Sequence, residues 1–224
     1  KTVVVRARGP SLIPSGVVNA LADPTLQLFS GPTVIGTNDD WGLATNSAAI
    51  QSSGFAPSDA KEAAILMSLG PGAYTAIVRG TSNSTGVGII EVFEVDGPEV
   101  PLANISTRGQ VLTGDDVMIG GFIVQGSSPQ TVIVRARGPT LAQFGITNFL
   151  ANPVLQLYSG QTVIASNDDW ITASNAAEIQ SRGFAPGNTR EAAILITLDP
   201  GAYTAVVTGK DGTTGVGIVE VFAQ

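Results

Sequence analysis

The sequence predicts an all-β protein made of two tandem jelly-roll-like β-sandwich domains, and three observations carry that prediction. The first is an internal duplication: residues 1–95 align without a gap onto residues 130–224, with about 60% of the positions identical. The second is that apolar residues within each copy form short runs of period two, punctuated by Gly, Pro, Asn and Asp at the spacing of a sandwich. The third is the near absence of helical periodicity. The chain therefore divides into copy one (residues 1–96), an intervening segment (97–129) with no counterpart ahead of copy one, and copy two (130–224).

Strands are predicted at residues 2–8, 26–30, 33–37, 62–69, 73–79 and 87–95, each recurring at the same place in copy two. The first, TVVVRAR, is a β-branched run that stops at Gly9-Pro10. LQLFS and TVIGT flank Ser30-Gly31, and their equivalents flank Ser159-Gly160, so each pair is expected to form a hairpin. Pro71-Gly72 and Pro200-Gly201 are likewise expected to close hairpins between the EAAIL and GAYTA strands. Short helices are expected at 47–53 and 176–182, each followed by a glycine able to take the left-handed cap conformation.

The intervening segment adds two strands, at 103–111 and 118–125. Counted with copy two they make eight, the number of a jelly roll, while copy one keeps six. A sandwich short of strands leaves unpaired backbone along an edge and a strip of core facing water. Three resolutions are open: strands supplied from upstream of a processed or excerpted chain, strands of the segment split between the copies, or a strand lent by a neighbouring molecule.

Composition excludes much chemistry. The 224 residues include no His and no Cys, so a Ser-His-Asp or Cys-His nucleophile pair and the usual zinc ligand sets are ruled out. Eleven Lys and Arg against 18 Asp and Glu give a net charge of −7, unsuited to a nucleic-acid partner. No apolar run approaches the ~20 residues needed for a helical membrane span. The scarcity of Lys and the wealth of Thr, Ser, Asn and Gly predict a secreted or cell-surface location.

The densest polar cluster is Asn38-Asp39-Asp40-Trp41, repeated as Asn167-Asp168-Asp169-Trp170, with Asn46 and Asn175 five residues after each Trp. Carboxylate and amide oxygens on one loop suit a hard cation such as Ca²⁺, of the weak structural kind found in extracellular modules. An Asx-turn, with the Trp as a lid over the sandwich, accounts for the same residues. The succession DPTLQLFSGPTVIGTNDDW, LGPGAYTAIVRG and TGVGIIEVF resembles the bacterial pre-peptidase C-terminal domain over residues 23–95 and 152–224; RARGP and GFAP lie outside that pattern. The resemblance implies a β-sandwich module of secreted bacterial proteins, some relatives of which bind calcium, collagen or polysaccharide. It implies Asp39, Asp40, Asp168 and Asp169 as calcium ligands and no catalytic residue.

Arg6, Arg8, Arg135 and Arg137 interrupt apolar strands, as do Glu91 and Glu220. A charge in a core strand is expensive unless paired, so cross-strand Arg–Glu ion pairs are expected, the alternative being an exposed Arg pair that grips an anionic glycan or a subunit. Glu62 and Glu191 are expected either as solvated loop-end groups or as a third carboxylate near the cation. A glycosidase needs two carboxylates flanking a cleft, whereas the Asp pairs here are adjacent on a loop and duplicated. Trp41 and Trp170 could stack on sugar rings or serve as lids.

The expected function is non-catalytic: an extracellular structural protein that packs head to tail with copies of itself, by strand addition or end-to-end stacking, into a filament or surface repeat array. The competing expectation is a polysaccharide- or matrix-binding accessory module of a secreted enzyme.

Overall fold

The structure, a computed structural model, describes residues 1–96 and 102–224. It divides into two compact units, Lys1–Pro101 and Leu102–Gln224, each an antiparallel β-sandwich.

The first unit holds strands β1 (Thr2–Arg8), β2 (Pro24–Ser30), β3 (Thr33–Asn38), β4 (Ala63–Ser68), β5 (Tyr74–Gly80) and β6 (Ile89–Glu94), with helix α1 (Ser47–Ser52) between β3 and β4. Its two sheets run β4-β1-β6 and β3-β2-β5. Alternation decides which side chains fill the space between them: Val3, Val5 and Ala7 of β1 pack with Leu26 and Leu28 of β2 and with Ala63 and Ile65 of β4.

The second unit holds β7 (Asn104–Val111), β8 (Met118–Val124), β9 (Gln130–Arg137), β10 (Pro153–Ser159), β11 (Thr162–Asn167), β12 (Ala192–Leu198), β13 (Gly201–Gly209) and β14 (Gly215–Ala223), with α2 (Ala176–Ser181) between β11 and β12. Its sheets run β12-β9-β14-β7 and β11-β10-β13-β8. The first of these strands pairs with the last, the second with the seventh, the third with the sixth and the fourth with the fifth. That nesting is a jelly roll. The first unit has the same pairing without its first two strands.

One expectation needs correction. Pro71-Gly72 and Pro200-Gly201 reverse the chain without making hairpins: β4 pairs with β1 and β5 with β2, so the turn carries the chain from one sheet to the other, and its counterpart does the same. A Pro-Gly turn sets a change of direction, while the partner is chosen by the nested pairing of the whole sandwich. Of the three resolutions left open for copy one, a split of the intervening strands between the copies is set aside, because β7 pairs with β14 and β8 with β13, which gives the second unit the eight strands counted for it. Ser30-Gly31 and Ser159-Gly160 do close hairpins, with each glycine at positive φ.

The outer face of the β1 sheet is also covered. Val4, Ile50 and Ala64 are buried there by the long connection that contains α1. In the second unit Ile133, Ile179, Ala193 and Leu195 form the equivalent cluster, with Trp170, Phe184 and Phe222 against it.

Candidate functional site

The missing strands expose one side of the first sandwich. On the inner face of the second unit, Tyr203, Ala205 and Val207 of β13 and Val219 and Val221 of β14 are all buried. Their counterparts Tyr74, Ala76 and Val78 of β5 and Ile90 and Val92 of β6 are only half-buried. Gly86 and Gly88 are exposed where Gly215 and Gly217 are buried. Among the described residues no strand pairs with the outer edge of β5 or of β6. Two sheet edges and an apolar strip between them thus face water together, an arrangement that offers hydrogen bonds to an extended chain and a groove for alternate side chains.

A second candidate lies at the end of β3. The Asn38 amide donates to the Asp40 carbonyl at 3.2 Å, and its side-chain oxygen accepts from the Ala64 N–H at 2.8 Å. Asn167 makes the same two contacts in the second unit, and Asn46 and Asn175 brace the carbonyls of Leu66 and Leu195. With its amide so engaged, the turn sets Asp39 and Asp40 against Asp23, which immediately precedes β2. The three carboxylates offer oxygens within 4.8 Å of one another. One Asp23 oxygen is buried without a hydrogen-bond partner. Asp39 is held above the ordinary carboxylate range, first by burial and then by the charges of Asp23 and Asp40.

The second unit differs at two positions. Asn152 stands at the place of Asp23 and Lys210 at that of Thr81. The Lys210 ammonium sits on the Asp168 carboxylate, which raises its pKa. The Asn152 amide, oriented to suit its neighbours, donates to Asp168 Oδ1 at 3.2 Å and to the Arg190 carbonyl at 2.9 Å. Three unneutralised carboxylates in the first unit fit a hard divalent cation; in the second unit a lysine already supplies positive charge at Asp168. Asp23 had no local signal in the sequence, since it lies on another loop. The paired exchange of Asp23 for Asn152 and Thr81 for Lys210 is the trace that the duplication carries.

The charged strand residues pair across the sheet. Arg6 grips Glu91, directly opposite in register, through Nε at 2.6 Å and Nη2 at 3.2 Å, and its Nη1 donates to the Phe55 carbonyl. Its guanidinium lies 4.8 Å from the Phe93 ring, itself stacked on Phe55. Arg8 lies 3.7 Å from Glu91. In the second unit Arg135 and Arg137 both hold Glu220 at 2.9 Å. Glu62 and Glu191 are fully buried. Glu62 Oε1 accepts from the Gly9 and Ser11 N–H groups, and Glu191 Oε1 from Gly138 and Thr140, so each glutamate fastens the loop after the first strand of its copy. Gly9 is required there, because a Cβ would meet the Leu21 carbonyl oxygen at 1.9 Å. Trp41 and Trp170 are half-buried, and their indole N–H groups donate to the carbonyls of Asp59 and Asn188.

Fold and site together define a tandem pair of β-sandwich modules, the second a complete jelly roll and the first an open one. No family model matches the chain, and no curated protein matches it. Among solved structures it is similar to the pre-peptidase C-terminal domain of collagenase from Bacillus anthracis, with 16% identity, a TM-score of 0.34 and coverage of 53% of this chain and 89% of that one.

Proposed function

We propose that this chain is a non-catalytic, extracellular structural module that packs head to tail into a filament or surface array through the open side of its first sandwich. The observation that carries the reading is the contrast between the half-buried Tyr74, Ala76, Val78, Ile90 and Val92 and their buried counterparts in an otherwise equivalent sandwich. Covering the larger of these side chains is worth about 1 kcal/mol each, before any hydrogen bond gained along the two edges. The engagement of the strand and loop carboxylates Glu62, Glu91, Glu191 and Glu220 in holding the fold favours a structural role. Scarce Lys and abundant Thr, Ser, Asn and Gly favour an exterior location.

Calcium belongs to the same proposal. Asp23, Asp39 and Asp40 would hold it in the first unit, where it would neutralise their mutual repulsion and stiffen the loops that lead into β2 and out of β3.

Electron microscopy of the purified chain, with light scattering across a concentration series, tests the assembly. Long regular fibres whose mass grows with concentration are expected. Particles that stay monodisperse at every concentration would overturn the reading.

A further inference from the structure

The proposed function leaves open what closes the first sandwich, and the second unit supplies the chemistry of the answer. We infer that the open side of the first unit is an acceptor for a further two-strand segment of the β7–β8 kind. This rests on the reading of that side as a joining surface.

The acceptor is polypeptide-specific because it is two things at once. The edges of β5 and β6 present backbone N–H and C=O groups, which only another extended backbone satisfies as a continuous ladder. Between them lies the apolar strip of Tyr74, Ala76, Val78, Ile90 and Val92. The register follows from the duplication. In the second unit β14 pairs with β7 so that Val221 opposes Ile105 and Gly217 opposes Gly109, and β13 pairs with β8 so that Tyr203 opposes Phe122 and Ala205 opposes Gly120. Transferred to the first unit, the Phe122 position faces Tyr74, repeating the ring stacking of Phe122 on Tyr203 at 5.7 Å. The Gly120 position faces Ala76.

That glycine sets the specificity. A Cβ on Gly120 would meet Val219 Cγ1 at 2.9 Å. The equivalent of Val219 in the first unit is the larger Ile90, so the incoming strand must carry glycine at this position as well. The second unit keeps the β7–β8 segment, so the open side of the first unit takes a further segment of the same kind.

The absence of cysteine makes the test site-specific. Thr204 opposes Gly121 on β8, and its first-unit equivalent is Thr75. A synthetic peptide of residues 102–128 carrying Gly121→Cys is mixed, under mild oxidation, with the full chain carrying either Thr75→Cys or Thr204→Cys. The expected result is a disulfide to Thr75→Cys in nearly every molecule, with little to Thr204→Cys. The same peptide with Gly120→Val added is expected to lose at least tenfold of that cross-linking, with the acceptor chain left unaltered. Cross-linking only at Thr204→Cys, cross-linking at neither position, or equal yield from the Gly120→Val peptide would each overturn the inference. If the chain alone forms fibres and the peptide never joins Thr75→Cys, the assembly reading stands and this inference falls. If the peptide joins and the chain alone stays monomeric, the inference stands and the assembly reading falls.

Discussion

Glu62 and Glu191 lie at zero exposure; in each, Oε1 accepts two backbone N–H groups of the loop after the first strand, while Oε2 is buried without a hydrogen-bond partner. Glu62→Ala strands the N–H groups of Gly9 and Ser11 in the interior and is expected to lower the stability of the first unit by about 3 kcal/mol in urea unfolding, while Glu62→Gln, which keeps the acceptor oxygen, loses clearly less. Equal losses for the two variants would show that the charge, not the acceptor, matters. Asp39 is a carboxylate whose charged form the fold disfavours. Its pKa is raised in the folded state, so the folded chain holds this proton longer than the unfolded one, and stability falls as pH rises from the ordinary carboxylate value through the raised one. Asp39→Asn is therefore expected to raise the melting temperature at neutral pH without metal. The difference from the unsubstituted chain should shrink on acidification below the raised value. Added calcium should raise the melting temperature of the unsubstituted chain and leave Asp39→Asn nearly unmoved. A melt indifferent to both calcium and the substitution would dismiss the cluster as a cation site.

At the scale of single elements, the sequence carried the strands well and their partners less well. The TVVVRAR run, the LQLFS and TVIGT pair and the GAYTA run all stand where alternation put them, because their apolar side chains alternate onto the side that faces the core. The 3₁₀ turn at Pro10–Ser15 gave no such signal: only its Leu12 is buried, and a glutamate distant in sequence holds its entry. The Pro-Gly pairs misled for a physical reason. A turn constrains a few residues, whereas pairing in a jelly roll nests the first strand with the last, so β4 and β5 are neighbours along the chain and members of different sheets. Arg6 and Glu91 were legible as charges in apolar strands, and their direct opposition across the ladder is a matter of register that spacing alone leaves unfixed. Asp23 was not legible beside Asp39 and Asp40, because what joins them is the passage of β2 beside β3.

For the whole molecule, the duplication makes an internal control. Two copies of about 60% identity share one pairing scheme and differ most in whether two leading strands are present, so the burial of equivalent side chains along that side reports on those strands. The covered copy buries Tyr203, Ala205, Val207, Val219 and Val221, while the open copy leaves each counterpart partly in water. At up to about 1 kcal/mol for each of the four larger side chains, the open unit forgoes roughly 3–4 kcal/mol of burial, a sizeable fraction of a domain's net stability. Calorimetry is expected to resolve two transitions, the lower belonging to Lys1–Pro101 and the upper to Leu102–Gln224. Amide hydrogen exchange assigns them: the β5 and β6 amides should exchange well before those of β13 and β14, since one edge of each is open to water in the first unit and laddered in the second. Adding the 102–128 peptide should move the lower transition upward and leave the upper one in place. A single cooperative transition with matched protection of β5 and β13 would mean that the first sandwich is already closed, and the joining surface would lose its physical basis.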